Sequence, residues 1–143
     1  MSDREKLVGV WELVDATTIT AEDGRRESSY GDGATGFIHY TATGRMMALI
    51  THGARERLEG DRQSSPDWQK ARAYTTSIAY AGRYSIEGDR VVHHVDTSTY
   101  PNWVGTQLTR QFRFEDDRVF LRTLPQMQNG IMAVLELEWR RHD

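Results

Sequence analysis

Apolar and polar side chains alternate along most of the chain with a period of two, the spacing that sends successive residues to opposite faces of a strand. Residues 7–19 read as a long first strand, with Leu7, Gly9, Trp11 and Leu13 on one face and Val8, Val10, Glu12 and Val14 on the other. The turn Glu22-Asp23-Gly24-Arg25 follows, then a polar, glycine-containing stretch to Gly36 that holds one short strand. Residues 37–40 and 45–50 flank Thr41-Ala42-Thr43-Gly44 and predict a hairpin, Gly44 supplying the positive φ of the loop. A second hairpin joins residues 80–86 to 91–98 through Glu87-Gly88-Asp89-Arg90, and a third joins 105–115 to 118–124 through Asp116-Asp117. Beyond residues 125–130 a last strand covers 131–140, with Ala133, Leu135, Leu137 and Trp139 on one face.

One region departs from this alternation. Residues 52–64 are densely charged and aperiodic, which predicts a solvated loop or flap. Ser65-Pro66-Asp67 then starts a helix, with an N-cap, a proline at the first helical position and an early acid. The helix is expected to run to about Tyr80, with Trp68, Ala71, Thr75, Ile78 and Ala79 as a narrow apolar stripe laid on a sheet end as a lid or plug. About eight short strands with hairpin-length connections, one inserted helix and no internal repeat predict an all-β, antiparallel up-and-down barrel occupying the whole chain, 1–143, as one domain. The interior of such a barrel is wide enough for packed side chains or one small ligand.

The faces of two strands carry side chains of unexpected polarity. Leu108, Phe112 and Phe114 share a face with Arg110, and Val91, Val95 and Thr97 share one with His93. Pairing Val95 with Leu108 across the corner Tyr100-Pro101-Asn102-Trp103-Val104-Gly105 sets His93 opposite Arg110. The flanking hairpins set Tyr84 opposite His93 and Thr123 opposite Arg110, so these four side chains are expected to form one interior layer. A cation and an imidazole inside an apolar layer need a partner or a purpose.

Composition narrows the field. With 38% hydrophobic and 27% charged residues and no long apolar run, the chain is expected to be a non-membrane globular protein. The net charge of −3, with acids and bases interleaved, leaves no footprint for nucleic acid. The opening residues lack an apolar signal core, which leads to the expectation of a cytoplasmic location. The absence of cysteine excludes disulfides, thiolate metal sites and a cysteine nucleophile. His93 and His94 point to opposite faces of one strand, and the pattern places no carboxylate inside except Asp15, so no metal site is expected. No phosphate-cradling loop, dinucleotide fingerprint or nucleophile elbow is present, and no cofactor is called for.

The segment LVGVWELV from Leu7 carries a Gly-x-Trp on the first strand. With GFIHYTATGRM from Gly36, IAYAGRY from Ile78, VVHHV from Val91, PNWVG from Pro101 and the Arg110-Gln111-Phe112 strand, it resembles the bacterial lipocalin-like domain family over nearly the whole chain. The resemblance implies a calycin-type barrel in which Trp11 packs at the closed end beneath an arginine, either Arg140 or Arg110. Secreted lipocalins carry a signal peptide and a helix after the last strand; neither pattern is present here, so the resemblance implies the fold more than extracellular transport.

Several residues have two readings each. His93 either hydrogen-bonds a ligand, or acts as a general base, or is a core histidine satisfied by Tyr84 or backbone. Arg110 either clamps a planar anion or stacks on Trp11 as a structural plug. His39, expected opposite Met46, either enters the lumen or lies on the surface. Asn102 and Trp103 either contact an entering ligand at the rim or make a turn and cover a core edge. Three functional readings follow. The first is a barrel binding one small, mostly hydrophobic molecule that carries an anionic or carbonyl group, with Arg110, His93 and Tyr84 as its polar contacts. The second is a cofactor-independent isomerase, cyclase or lyase, with His93 moving a proton and Arg110 and Tyr84 stabilising an oxyanion. The third is a filled barrel acting through its surface or as a homodimer.

Overall fold

The computed structural model describes residues 1–142. A short helix α1 (Asp3–Leu7) precedes strands β1 (Gly9–Thr20), β2 (Arg26–Ser28), β3 (Thr35–Tyr40) and β4 (Arg45–Thr51). Helix α2 (Asp67–Thr75) follows, then β5 (Ser77–Glu87), β6 (Arg90–Ser98), a 3-10 turn (Pro101–Trp103), β7 (Gln107–Glu115), β8 (Arg118–Thr123), β9 (Gln126–Gln128) and β10 (Ile131–Arg141). Each of the eight longer strands pairs with its neighbours in the order β1-β3-β4-β5-β6-β7-β8-β10, and β10 pairs back onto β1 to close an antiparallel barrel. The short β2 and β9 continue the sheet beside the far halves of β1 and β10. Closure leaves the eight long strands without a bare ladder edge along their paired lengths.

One end of the barrel is plugged. Ser2 and Glu5 form a reciprocal capping box that starts α1, and α1 carries the fully buried Leu7 into the barrel end. Trp11 Nε1 donates to the Leu7 carbonyl oxygen at 2.8 Å. The guanidinium that stacks on Trp11 belongs to Arg141, 4.2 Å from the ring centroid, and not to Arg140 or Arg110. The alternation on β10 explains this: Arg141 shares the inward face of Leu137 and Trp139, while Arg140 is exposed beside Glu12.

Registers decide which side chains reach the interior. The β5–β6 hairpin pairs Tyr84 with His93, and β7–β8 pairs Arg110 with Thr123, both as the alternation predicts. Across β6–β7, however, His93 pairs with Leu108 and Arg110 with Val91. The chain turns back two residues sooner than expected: the Val95 amide donates to the Thr106 carbonyl and the Val95 carbonyl accepts from the Gly105 amide. A shift of two residues preserves parity, so His93 and Arg110 still face inward, on adjacent strands but in neighbouring layers.

Across β3–β4 the shift is one residue. His39 pairs with Met47 and Tyr40 with Met46. Arg45 belongs to the turn: its amide donates to Thr41 Oγ1 and its carbonyl accepts from the Thr41 amide, around Gly44 at φ 97°. The extra turn residue flips every side chain. Tyr40 is fully buried, whereas His39 projects from the outer wall and does not enter the lumen. A bulge between Leu13 and Asp15 likewise turns Asp15 outward.

Helix α2 is shorter than predicted and differently oriented. Thr75 and Thr76 hydroxyls bond back to the Ala71 and Arg72 carbonyls, and β5 starts at Ser77. Ser65 does not cap it; its hydroxyl donates to the Glu59 and Asp61 carbonyls instead. The buried helical side chain is Gln69, accepting from the Glu59 amide, while Trp68 lies exposed under Arg72. Among the described residues no α2 side chain lines the lumen, so the helix braces the loop of residues 55–65 and is not a lid.

Candidate functional site

The interior at the end away from α1 is a cavity of about 290 Å³. That lies at the small end of the usual range for small-molecule pockets, roughly 300–1,000 Å³. Its walls are apolar and aromatic, including Ile50, Leu108, Leu121, Leu135, Trp103 and Trp139, and no aspartate or glutamate lines it. Four of its polar groups come from consecutive strands, Tyr80 on β5, His93 on β6, Arg110 on β7 and Thr123 on β8, and Tyr30, Gln126 and Gln128 also line it.

His93 is fully buried and held on both sides. Its Nε2 lies 2.6 Å from Tyr40 Oη and its Nδ1 lies 2.8 Å from Tyr80 Oη. Burial above all, then the neighbouring Arg110 and His94, keeps its proton affinity well below that of an ordinary histidine. The ring is neutral at pH 7. Burial raises the Tyr80 hydroxyl and raises that of Tyr40 more strongly, so both phenols keep their protons although Arg110 pulls the other way. Tyr30, whose ring stacks on His52 at 4.8 Å, also lines the cavity and is pushed up to about 12, mainly by burial.

Arg110 is half-buried and donates to its neighbour's backbone, Thr109 O, at 3.2 Å. Among the described residues no carboxylate pairs with it. Its charge acts instead on Tyr30, Tyr40, Tyr80 and His93, the polar groups of the lumen and the tyrosine behind them. Thr123, also buried, accepts the Leu135 amide at 2.9 Å through Oγ1. The Trp139 indole N–H is buried with no acceptor among the described residues.

Besides His39, two expected site residues lie elsewhere. Tyr84 is inward and opposite His93, but its hydroxyl donates to Thr41 O at 2.7 Å and its ring lies under Arg4, which places it in the plug. Asn102 is exposed on the corner and donates to Tyr100 Oη at 3.1 Å. Trp103 does line the cavity, its ring meeting Tyr80 edge-on at 5.5 Å and Tyr100 at 5.3 Å. Tyr80 was legible in the pattern, since it precedes Gly82 and Tyr84 on one face. Tyr40 was not, because its face depends on the extra residue in the β3–β4 turn. Gly82 allows the close approach that brings β6 under β5: a Cβ there would stand 1.9 Å from His94 O.

The chain is similar to several known proteins. A 4'-hydroxy-3'-methoxypropiophenone carrier protein of Aspergillus oryzae is 33% identical over 106 residues, covering 67% of this chain and 96% of the relative. Among solved structures, a lipocalin-like protein from Bacteroides uniformis aligns with a TM-score of 0.49 at 16% identity, covering 96% of this chain and 99% of that one. A protein from Bacteroides eggerthii aligns with a TM-score of 0.47 at 14% identity, covering 95% and 99%. The model of the lipocalin-like domain matches residues 8–142, from the residue before β1 to the end of the described chain, and the protein belongs to that family.

Proposed function

We propose that the protein is a small-molecule carrier whose lumen takes one flat, mostly apolar molecule bearing a carbonyl or anionic oxygen, anchored by Arg110 and Tyr80. The observation that carries this reading is a guanidinium without a carboxylate partner on the wall of an otherwise apolar and aromatic cavity. A half-buried cation of this kind is costly without a counter-charge and is compensated when a ligand oxygen accepts its hydrogen bonds. Trp103 and Tyr80 offer ring edges and faces to an aromatic ligand. The relative from Aspergillus oryzae is named for an aromatic ketone, a molecule of this chemistry.

The enzymatic alternative has less support. Both nitrogens of His93 are taken up by tyrosine hydroxyls, so the ring has no nitrogen left to exchange a proton with a substrate directly. Titration calorimetry with 4'-hydroxy-3'-methoxypropiophenone tests the carrier reading. Saturable one-to-one binding that weakens at least tenfold in Arg110→Met is expected. The absence of binding to this ketone and to related aromatic acids would overturn it.

A further inference from the structure

The Tyr40–His93–Tyr80 chain has a direction, and the burial of one end sets it. A neutral imidazole carries one proton, so one ring nitrogen donates and the other accepts. If Nε2 carried the proton it would donate to Tyr40 Oη, and the Tyr40 hydroxyl proton would be left in the core. Tyr40 has no exposed surface, and its only hydrogen-bond partner among the described residues is His93. An unpaired buried donor is disfavoured. With the proton on Nδ1, the Tyr40 hydroxyl donates to Nε2 and Nδ1–H donates to Tyr80 Oη. Every proton behind the wall is then used, and the Tyr80 hydroxyl proton points toward the cavity that Tyr80 lines.

The groups beside Tyr80 have the same polarity. Arg110 has donors and no acceptor. Thr123 Oγ1 already accepts the Leu135 amide, and no acceptor for its own proton is found among the described residues. The titratable and charged groups lining the cavity are Tyr30, Tyr80, His93 and Arg110, with no carboxylate among them. The side-chain amides that offer carbonyl oxygens, Gln126 and Gln128, belong to β9, Gln126 exposed and Gln128 half-buried.

We propose that the lumen is a donor cradle that takes its ligand as an oxyanion, a phenolate, enolate or carboxylate, with the buried Tyr40–His93 pair holding the Tyr80 proton toward it. This rests on the carrier reading above and narrows it from an anionic or carbonyl oxygen to a charged one. The oxyanion accepts from Arg110, Tyr80 and Thr123, and the single positive charge of Arg110 is neutralised by it. Tyr40 is a positioning residue: it lies behind the wall and acts through His93.

The test uses 4'-hydroxy-3'-methoxypropiophenone, whose phenolate absorbs at longer wavelength than its phenol, and its 4'-O-methyl ether, which cannot ionise. Spectrophotometric titration of the bound phenol should give a pKa at least one unit below that of the free compound, equivalent to about tenfold tighter binding of the phenolate than of the phenol. Arg110→Met should abolish the shift, and Tyr40→Phe should reduce it by freeing His93 to accept the Tyr80 proton. In Tyr40→Phe the ether should bind as it does to the wild type, which reports that the lumen is intact. Equal affinity for phenol and ether at high pH, with no pKa shift, would overturn the oxyanion cradle and leave the carrier reading standing. A shift unchanged in Tyr40→Phe would overturn the role of the Tyr40–His93 pair, and failure of both compounds to bind would remove the carrier reading itself.

Discussion

Arg141 and Arg110 both project from barrel strands onto the inward face, among apolar neighbours, yet they end in opposite situations. Arg141 lies on Trp11 and donates to the carbonyls of Val8 and Lys6, so the closed end consumes its hydrogen-bonding capacity and its charge rests on an indole face. Arg110 donates to one adjacent carbonyl, interacts with the Tyr80 hydroxyl, and otherwise faces a cavity lined by no carboxylate among the described residues. The residue type is the same; what differs is whether the surrounding backbone supplies acceptors. At the plugged end α1 brings its carbonyls to the arginine. At the other end the strands flanking Arg110 bring hydroxyls and aromatic rings, and no carboxylate among the described residues.

The largest effect expected from breaking this comparison is at the plug. Trp11→Ala should cost about 3–5 kcal/mol in urea unfolding, the usual range for deleting a fully buried large aromatic. A loss near zero would show that the closed end does not hold the barrel. The two arginines should then separate cleanly. Arg141→Met should destabilise by about 1–2 kcal/mol through lost backbone hydrogen bonds and the lost ring contact, with ligand affinity unchanged. Arg110→Met should leave stability equal or higher, because a half-buried unpaired charge is removed, while ligand affinity falls at least tenfold. Parallel denaturation and calorimetry on the two variants would refute the division of roles if the pattern were reversed.

A smaller effect is expected from His93. Its proton affinity is depressed in the folded state, so between the unfolded value of about 6.5 and the lower folded value the unfolded chain binds more protons than the folded one. Stability therefore falls as pH drops below about 6.5, with a slope from this group of up to about 1.4 kcal/mol per pH unit. His93→Gln should flatten that slope in urea titrations between pH 7.5 and 5.5; an unchanged slope would assign it to other groups. The smallest effect should come from His39→Ala. The side chain is on the outer wall, so both stability and ligand affinity should hold, stability to within about 0.5 kcal/mol. A loss of ligand affinity in that variant would contradict its placement.

The comparison also separates what local pattern reveals from what it cannot. Alternation identified Arg110 and His93 as inward side chains and paired Arg110 with Thr123, because the tight β7–β8 turn leaves no freedom in register. It set His39 opposite Met46, where the structure sets it opposite Met47, because the turn closed by Thr41 and Arg45 holds one residue more than expected. It assigned Tyr84 to the site since parity tells the face and not the depth: Tyr84 and Tyr80 both point inward, one ending at the plug and the other in the cavity. The resemblance offered Arg140 or Arg110 for the plug and passed over Arg141, because the last strand was read as ending one residue short. For α2, the apolar stripe suggested a buried face, whereas the buried residue is Gln69, selected by a backbone amide of the preceding loop.

By itself the sequence determined an antiparallel, all-β chain of about eight strands, the position of its inserted helix, and the inward direction of Arg110, His93 and Tyr84. These follow from period-two alternation and from short turns, which are local properties. Only the tertiary structure decided that β1 and β10 close the barrel, that α1 and Arg141 fill one end, and that Tyr40 and Tyr80 bracket His93. Those pairings join residues up to 135 positions apart, as between Arg141 and Lys6. Their geometry depends on the accumulated registers around the whole sheet, and a change of one residue in a single turn reverses which side chain arrives at the site.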